Sequence, residues 1–172
     1  MQTHEPITLI QAAEADIPAL CSVYRAACEN MEAEGLDLWH WGEYPNENIV
    51  REDVRQGWLY LCREGADVLG CVCVNQIQAD EYAAIPWQFD GQAGLFHRIA
   101  ISPLAQGKGL ARRMLSAVED ILRTQGCTVL RGDVYSLNHK ALRLYARFGM
   151  RQAGKFRDQF CPEPFIAIEK EL

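Results

Sequence analysis

Apolar residues recur at two spacings along this chain, and the two spacings predict different elements. Ile17, Leu20 and Tyr24 lie three or four residues apart, which is the spacing of one helix face. Short apolar runs at 58–62 and 68–74 are separated by a few polar residues and predict a β-hairpin. The pattern predicts strands at 7–10, 58–62, 68–74, 94–101, 128–134, 150–155 and 165–169, and helices at 16–35, 46–57, 107–124 and 138–149.

Polar residues and glycines mark where these helices begin and end. Asp16, Asn46 and Asn138 each precede a helical pattern, and their short side chains can accept from the first amides of a helix. Gly35 and Gly149 follow helical patterns, where glycine adopts the left-handed conformation that commonly ends a helix. We therefore expect three capped helix starts and two glycine helix ends.

The composition favours a single globular domain. The chain has 172 residues, of which 49% are hydrophobic, so it can bury a sizeable core. Strands and helices alternate without a repeat, a linker or a low-complexity tract. The sequence therefore predicts one α/β domain over residues 1–172.

Charge and cysteine spacing argue against several functions. The net charge is −6 and the basic residues are scattered, so we expect no nucleic acid partner. No segment reaches the roughly 20 apolar residues of a membrane span, and the first residues do not resemble a signal peptide, so we expect a cytoplasmic protein without membrane contact. Seven cysteines at irregular spacing include no Cys-x-x-Cys pair, so we expect buried thiols and no metal site.

The most informative segment joins the predicted strand at 94–101 to the following helix. Residues 106–111 read QGKGLA, which places glycines where the strand gives way to the helix. The first amides of a helix have no intrahelical acceptor, and the helix dipole is positive there, so such a turn suits a phosphate. Gly109 lets a ligand oxygen approach the backbone, and Lys108 adds positive charge. A phosphate-bearing cofactor is one interpretation, and a plain turn is the other.

A dinucleotide-binding fold is a weaker alternative, because its third glycine would stand where this chain has Arg112. The turn instead resembles the acetyl-CoA signature of the GNAT superfamily of N-acyltransferases, Gln/Arg-x-x-Gly-x-Gly/Ala, at Gln106, Gly109 and Ala111. Residues 138–150 resemble the same superfamily's Asn…Leu-Tyr-x-x-x-Gly-Phe segment, with methionine in the last position. The resemblance implies a GNAT-like α/β (α+β) fold, a mixed sheet flanked by helices in the order β-α-α-β-β-β-α-β-α-β-β.

The resemblance also implies acetyl-CoA as cosubstrate. In this superfamily the central strand separates from the next one, and the pantetheine arm bonds to the exposed backbone. The backbone N–H of Ile101 would then polarise the thioester carbonyl, and residues 106–112 would hold the diphosphate. The predicted cofactor-binding residues are Ile99, Ala100, Ile101, Gln106, Gly107, Lys108, Gly109, Leu110, Ala111, Arg112 and Asn138.

Tyr145 matches the residue that protonates the departing CoA thiolate in this superfamily. It follows Asn138 by two helical turns, so both lie on one helix face. Without the resemblance, Tyr145 would be a packing residue of an apolar stripe with Leu144 and Phe148. The predicted catalytic residues are Tyr145, His97 and Ile101.

The acceptor implied by the resemblance is a primary amine that attacks directly. Only about one alkylamine in 10³ is neutral at pH 7, so a base must remove a proton. His97 is the predicted base because it shares strand parity with the cofactor-binding backbone, but it can equally be a structural histidine. Glu43, Glu81 and Asp133 remain alternatives that the sequence does not rank.

An aromatic loop at 38–45 and a tryptophan before the central strand are the predicted acceptor side. Trp39, Trp41, Tyr44 and Trp87 could enclose an apolar or cationic amine, or they could cover the edge of the sheet. The leading hypothesis is an N-acetyltransferase acting on a small molecule. The alternatives are a protein or peptide acceptor and a non-catalytic acyl-CoA-binding protein; a homodimer is possible because GNAT proteins often dimerise.

Overall fold

The computed structural model describes residues 7–172 and has the element order that the sequence predicts. Three short 3-10 helices lie at Glu14–Asp16, Asp80–Ala84 and Pro103–Ala105. The strands are β1 Ile10–Gln11, β2 Leu59–Glu64, β3 Asp67–Asn75, β4 Ala93–Ile101, β5 Val129–Tyr135, β6 Arg151–Phe156 and β7 Phe165–Glu171. The helices are α1 Ile17–Ala33, α2 Glu47–Arg55, α3 Leu110–Thr124 and α4 His139–Phe148.

The strands form a mixed seven-stranded sheet in the order β1-β2-β3-β4-β5-β7-β6. The predicted hairpin is confirmed, because β2 and β3 pair antiparallel from Leu59 opposite Cys73. β4 and β5 are parallel, and their described pairing covers Ala93–Leu95 against Val129–Arg131. Both strands are longer than this ladder, and β5 pairs along its whole length with the antiparallel strand β7. The mixed α/β (α+β) fold class is therefore confirmed.

Two predicted starts lie three residues too early. The first strand is not at 7–10 but at Ile10–Gln11, because these are the residues that pair with β2. The third helix begins at Leu110 rather than at 107. Gly107 and Gly109 have φ of 74° and 69°, which is the left-handed region and interrupts a right-handed helix.

Two of the three predicted helix caps are confirmed, and the third is wrong. Asn46 and Asn138 each accept a hydrogen bond from the amide three residues on, at 3.0 Å, and so cap α2 and α4 as expected. The Asp16 carboxylate accepts instead from the amide of Ala13 at 2.9 Å and forms an ion pair with Arg63 at 2.6 Å. Asp16 thus closes the 3-10 turn that precedes α1. The hydrogen bond from Ala13 lowers the pKa of the Asp16 carboxyl most, and Arg63 lowers it further.

The chain divides into two compact units. The first contains the described residues up to Val74 together with Arg98–Val118, and the second contains Asn75–His97 and Glu119–Leu172. The core of the first unit is a cluster of buried side chains from α1, α2 and β2–β4, and Trp39 and Trp41 pack against it. One domain over residues 1–172 stays a prediction.

Six of the cysteines are buried as expected, whereas Cys161 is partly exposed in the segment between β6 and β7. In the part of the chain that the structure describes, no helix is long and apolar enough to cross a membrane. No cluster of three potential metal ligands occurs among residues 7–172.

Candidate active site

The turn between β4 and α3 presents its backbone to solvent. Residues 106–109 are all exposed, and Gly107 has open space where a Cβ would stand. The backbone ladder of α3 begins with the amide of Arg113 donating to the carbonyl of Gly109 at 3.3 Å. The amides of residues 110–112 come before this first bond of the ladder, and the first amides of a helix are the donors that an anion can bind.

Lys108 lies on this turn as the sequence predicts, and its ammonium group binds the backbone just before the turn. Its Nζ donates to the carbonyl of Leu104 at 3.0 Å, within the short 3-10 helix. Ser102 starts that helix, because its hydroxyl accepts from the amide of Leu104 and its own amide donates to Leu69 on the neighbouring strand. The charge therefore stays beside the turn, and the turn is fixed to the end of β4.

β4 contains a backbone kink immediately before the predicted cofactor-binding residues. Arg98 has φ of 47°, the left-handed region, which costs a residue with a side chain about 1–3 kcal/mol. Three contacts hold it there. The Tyr24 hydroxyl donates to the Arg98 carbonyl at 3.0 Å, and the guanidinium donates to Asp53 at 2.5 Å and to the Tyr44 hydroxyl at 3.1 Å.

The Arg98–Asp53 ion pair is nearly dehydrated, with side chains 14% and 7% exposed. Burial lowers the pKa of the Arg98 guanidinium, but the nearby phenols and the Asp53 carboxylate raise it by more. The net shift of the pKa is upward, so Arg98 stays protonated. Sequence analysis missed this pair. The available signal was an arginine inside an otherwise apolar strand, which requires a buried counter-charge.

The aromatic loop packs more than the sequence suggested. Trp39 contacts Tyr24 and Tyr44 edge to face, with ring centroids 6.2 Å and 6.5 Å apart. Trp41 packs on the core of the first unit, and the exposed Arg25 lies 5.5 Å above its ring. Tyr44 is 44% exposed. Trp39 and Trp41 thus serve packing, while Tyr44 offers an open surface.

In the second unit, Tyr145 is buried on α4 and packs on the ring of Phe96, with centroids 5.3 Å apart. The Phe96 ring in turn lies against Gly132, where an added Cβ would be only 2.8 Å from the ring. Burial first, and the charge of Asp133 second, raise the pKa of Tyr145. The phenol is therefore protonated throughout the neutral range.

Asp133 accepts a hydrogen bond of 2.6 Å from the Tyr82 hydroxyl. Burial raises the pKa of Asp133 above its ordinary value, and the Tyr82 hydrogen bond only partly offsets this. Trp87 is tied to the same group, because its indole N–H donates to the Tyr82 carbonyl at 3.0 Å and Arg131 lies 4.2 Å above its ring. Trp87 thus packs between an arginine and a tyrosine.

A buried carboxylate that the sequence analysis did not single out fixes the segment before β4. Glu169 on β7 is fully buried and accepts from the amides of Gln88 and Phe89 at 2.9 Å and 3.3 Å. Arg131 donates to the carbonyl of Phe89 at 2.9 Å. A glutamate within the apolar run of β7 was the available signal.

The remaining candidate bases and Asn138 differ in their surroundings. His97 Nε2 lies 3.3 Å from Asn75 Oδ1, and that oxygen also accepts from the backbone amide of Ile77. Glu43 and Glu81 are exposed. The side-chain oxygen of Asn138 caps α4 by accepting from the amide of Ala141.

Known proteins resemble this chain over most of its length. The acetyltransferase (GNAT) family model matches residues 20–150. The L-methionine sulfoximine/L-methionine sulfone acetyltransferase of Salmonella typhimurium is 29% identical over 146 residues, which cover 83% of this chain and 79% of that protein. The IAA acetyltransferase of Azospirillum brasilense is 26% identical over 148 residues, covering 81% and 87%.

A solved structure agrees with the fold. The crystal structure of a GNAT family acetyltransferase from Streptococcus agalactiae matches with a TM-score of 0.84 at 23% identity, covering 96% of this chain and 95% of that one. The element order, the sheet and the family match agree with one another. The chain therefore belongs to the GNAT acetyltransferase family and is an acetyl-transferring enzyme.

Proposed function

We propose that this enzyme moves the acetyl group of acetyl-CoA to the primary amine of a small molecule. Enzymes of this family take the acetyl group from acetyl-CoA. The observation that carries the proposal is the exposed glycine turn at 106–109, which lies between the end of β4 and the start of α3. The small-molecule acceptor is supported by relatives that are named for small-molecule acetylation.

The donor set of the turn suits a diphosphate. Backbone amides of residues 110–112 carry partial positive charge at the positive end of α3, and Gly107 and Gly109 leave room for oxygen atoms to approach. Ile99–Ile101 would bond to the pantetheine arm, with the Ile101 N–H donating to the thioester carbonyl oxygen as charge develops there. Gln106, Lys108 and Arg112 would line the rim.

The reaction forms one bond and breaks one. The amine nitrogen attacks the thioester carbon, the C–S bond breaks, and one proton leaves the nitrogen while another reaches the sulfur. Tyr145 donates to the sulfur, because burial keeps its phenol protonated. The departing thiolate is also desolvated, which raises its basicity and favours the transfer.

His97 takes the proton from the amine. Its support is the half-buried position of the ring on β4, two residues before Ile99, with Nε2 3.3 Å from Asn75 Oδ1. Asp133 is the competing candidate, since burial raises its pKa toward the range of a useful base. The hydrogen bond from Tyr82 occupies one of its oxygens and weighs against it. Glu43 and Glu81 are both exposed.

Tyr44 is the acceptor-side residue with the strongest support, because it is the exposed member of the aromatic loop. Trp39 and Trp41 shape that loop from below, and Trp87 borders the second unit's Tyr82–Asp133 pair. An aromatic face at this position suits an amine that carries an apolar or cationic portion.

A screen of acceptors with acetyl-CoA, reading free thiol, tests the proposed reaction. The panel contains amino acids including methionine sulfoximine, arylalkylamines, polyamines and a peptide with a free N-terminus. We expect a small amine to exceed the peptide in kcat/KM by about 100-fold, which is about 2.7 kcal/mol. Preference for the peptide would contradict the small-molecule acceptor. Tight binding of acetyl-CoA without thiol release from any amine would favour the non-catalytic alternative.

Gly109→Ala tests the diphosphate turn, with Gly65→Ala as its matched control. Both glycines have positive φ, 69° and 58°, so alanine should cost each variant about 1 kcal/mol of unfolding free energy. Only Gly109→Ala should weaken acetyl-CoA binding, by about 10-fold or more in calorimetry, because a Cβ crowds the ligand oxygens. Equal affinity in the two variants would remove the turn from the cofactor site.

Tyr145→Phe tests the proton donor. We expect kcat to fall about 100-fold, the lower end of general-acid effects, while acetyl-CoA affinity changes less than about twofold. Tyr135→Phe is the control, since Tyr135 is another buried phenol of the second unit and packs on Phe165 with centroids 5.4 Å apart. A kcat for Tyr145→Phe equal to that of Tyr135→Phe would show that Tyr145 only packs.

The pH dependence of kcat/KM distinguishes the two bases. His97→Gln should lower kcat/KM about 100-fold and abolish the acidic limb of the profile, because glutamine cannot take up a proton. Asp133→Asn should leave that limb in place. If Asp133→Asn abolishes the limb and His97→Gln does not, Asp133 is the base and the assignment of His97 is wrong.

A further inference from the structure

We propose that Arg98 is a positioning residue that couples the aromatic loop to the backbone of β4 that binds the acyl donor. The inference rests on the proposed function and extends it. Arg98 belongs neither to the glycine turn nor to the acid–base pair, yet it directly precedes Ile99–Ile101. Its contacts reach the loop, α1 and α2, all within the first unit.

The backbone of Arg98 has an uncommon conformation. Among the described residues, Arg98 is the one non-glycine residue with positive φ. A residue with a side chain occupies this region only when its surroundings select it. The kink changes the direction of β4 just before its cofactor-binding portion. Whatever selects the conformation of Arg98 therefore also sets where the amides of Ile99–Ile101 point.

The contacts of Arg98 form a closed ring that includes the aromatic loop. Tyr24 donates to the Arg98 carbonyl at 3.0 Å, and the Tyr24 ring packs on Trp39. Trp39 packs on Tyr44, and the Tyr44 hydroxyl accepts from Arg98 Nη1 at 3.1 Å, with the guanidinium 5.9 Å from the centre of the Tyr44 ring. We therefore expect a displacement of Tyr44 to shift the Arg98 guanidinium, and a shift of the guanidinium to disturb the backbone conformation of Arg98.

The two side-chain hydrogen bonds of residue 98 require an arginine. One terminal nitrogen of the guanidinium donates to Asp53 while the other donates to Tyr44. Lysine offers a single ammonium group and cannot reproduce two fixed directions. Asp53 lies on α2 and its side chain is only 7% exposed, so it is a fixed point rather than a mobile surface group. The arrangement ties the loop and the strand to one helix.

Acetyl-CoA affinity and steady-state kinetics of Arg98→Lys, Tyr44→Phe and the double variant test this coupling. Tyr44→Phe removes only one hydroxyl from the acceptor-side loop. It should nevertheless weaken acetyl-CoA binding about threefold and raise its KM, because the kink loosens. Arg98→Lys should weaken binding about 10-fold. The double variant should be no worse than Arg98→Lys alone, since both changes break one link.

Arg63→Lys is the matched control, because Arg63 forms an ion pair of 2.6 Å with Asp16 that does not involve β4. It should bind acetyl-CoA like the wild type. If Arg98→Lys does not fold, Tyr24→Phe replaces it, since it removes only the hydroxyl that holds the Arg98 carbonyl, and a threefold or greater loss of affinity is then expected.

The outcomes separate the inference from the function on which it rests. Unchanged acetyl-CoA affinity in Tyr44→Phe, or losses that multiply in the double variant, would overturn the coupling while leaving the proposed reaction intact. Failure of the wild-type enzyme to bind acetyl-CoA would overturn the proposed function, and the inference with it.

Discussion

An α-helix cannot satisfy its own first amides, and the proposed chemistry of this enzyme depends on where the chain leaves those amides exposed. α3 begins at Leu110, after two glycines whose positive φ prevents the helix from starting earlier. The turn before that end is exposed. It follows β4 through Ser102, whose amide donates to the carbonyl of Leu69 and whose hydroxyl accepts from the amide of Leu104.

Two buried carboxylates bind donors beside irregular backbone. Asp53 pairs with Arg98 at the kink in β4, and fully buried Glu169 binds the amides of Gln88 and Phe89 in an irregular segment. Removing ions from water is costly, and well-packed apolar residues are often equally stabilising. Charges in these places are better explained by the fixed backbone geometry they impose, because each carboxylate specifies the position of a donor that no strand partner could hold.

The sequence predicted the features that local chemistry decides. The order of elements, the Asn46 and Asn138 caps and the glycine turn follow from residues close together in the chain, and each was confirmed. Pairing decided the first strand instead, since Ile10 and Gln11 are strand residues only because β2 lies opposite them. The start of α3 depended on the φ of two glycines, which a pattern of apolar residues does not report.

Contacts between distant residues were the part of the candidate site that the sequence left open. Arg98 and Asp53 form an ion pair, and Arg98 also joins a ring of contacts with Tyr24, Trp39 and Tyr44. Most of these residues lie far apart in the chain. The aromatic loop was predicted to form an acceptor surface or to cover the edge of the sheet. Trp39 and Trp41 pack against the core of the first unit, because removing large apolar rings from water is favourable. An arginine in β4 and a glutamate in β7 were visible signals, but their partners were not.

The central claim is that the exposed amides of α3 bind the diphosphate of a CoA thioester. Calorimetric titration of the ligand-free enzyme with acetyl-CoA and with acetylpantetheine, which lacks the diphosphate and the nucleotide, tests it most directly. The account predicts that acetyl-CoA binds at least about 100-fold more tightly, a difference of about 2.7 kcal/mol. Equal affinities for the two thioesters would contradict it.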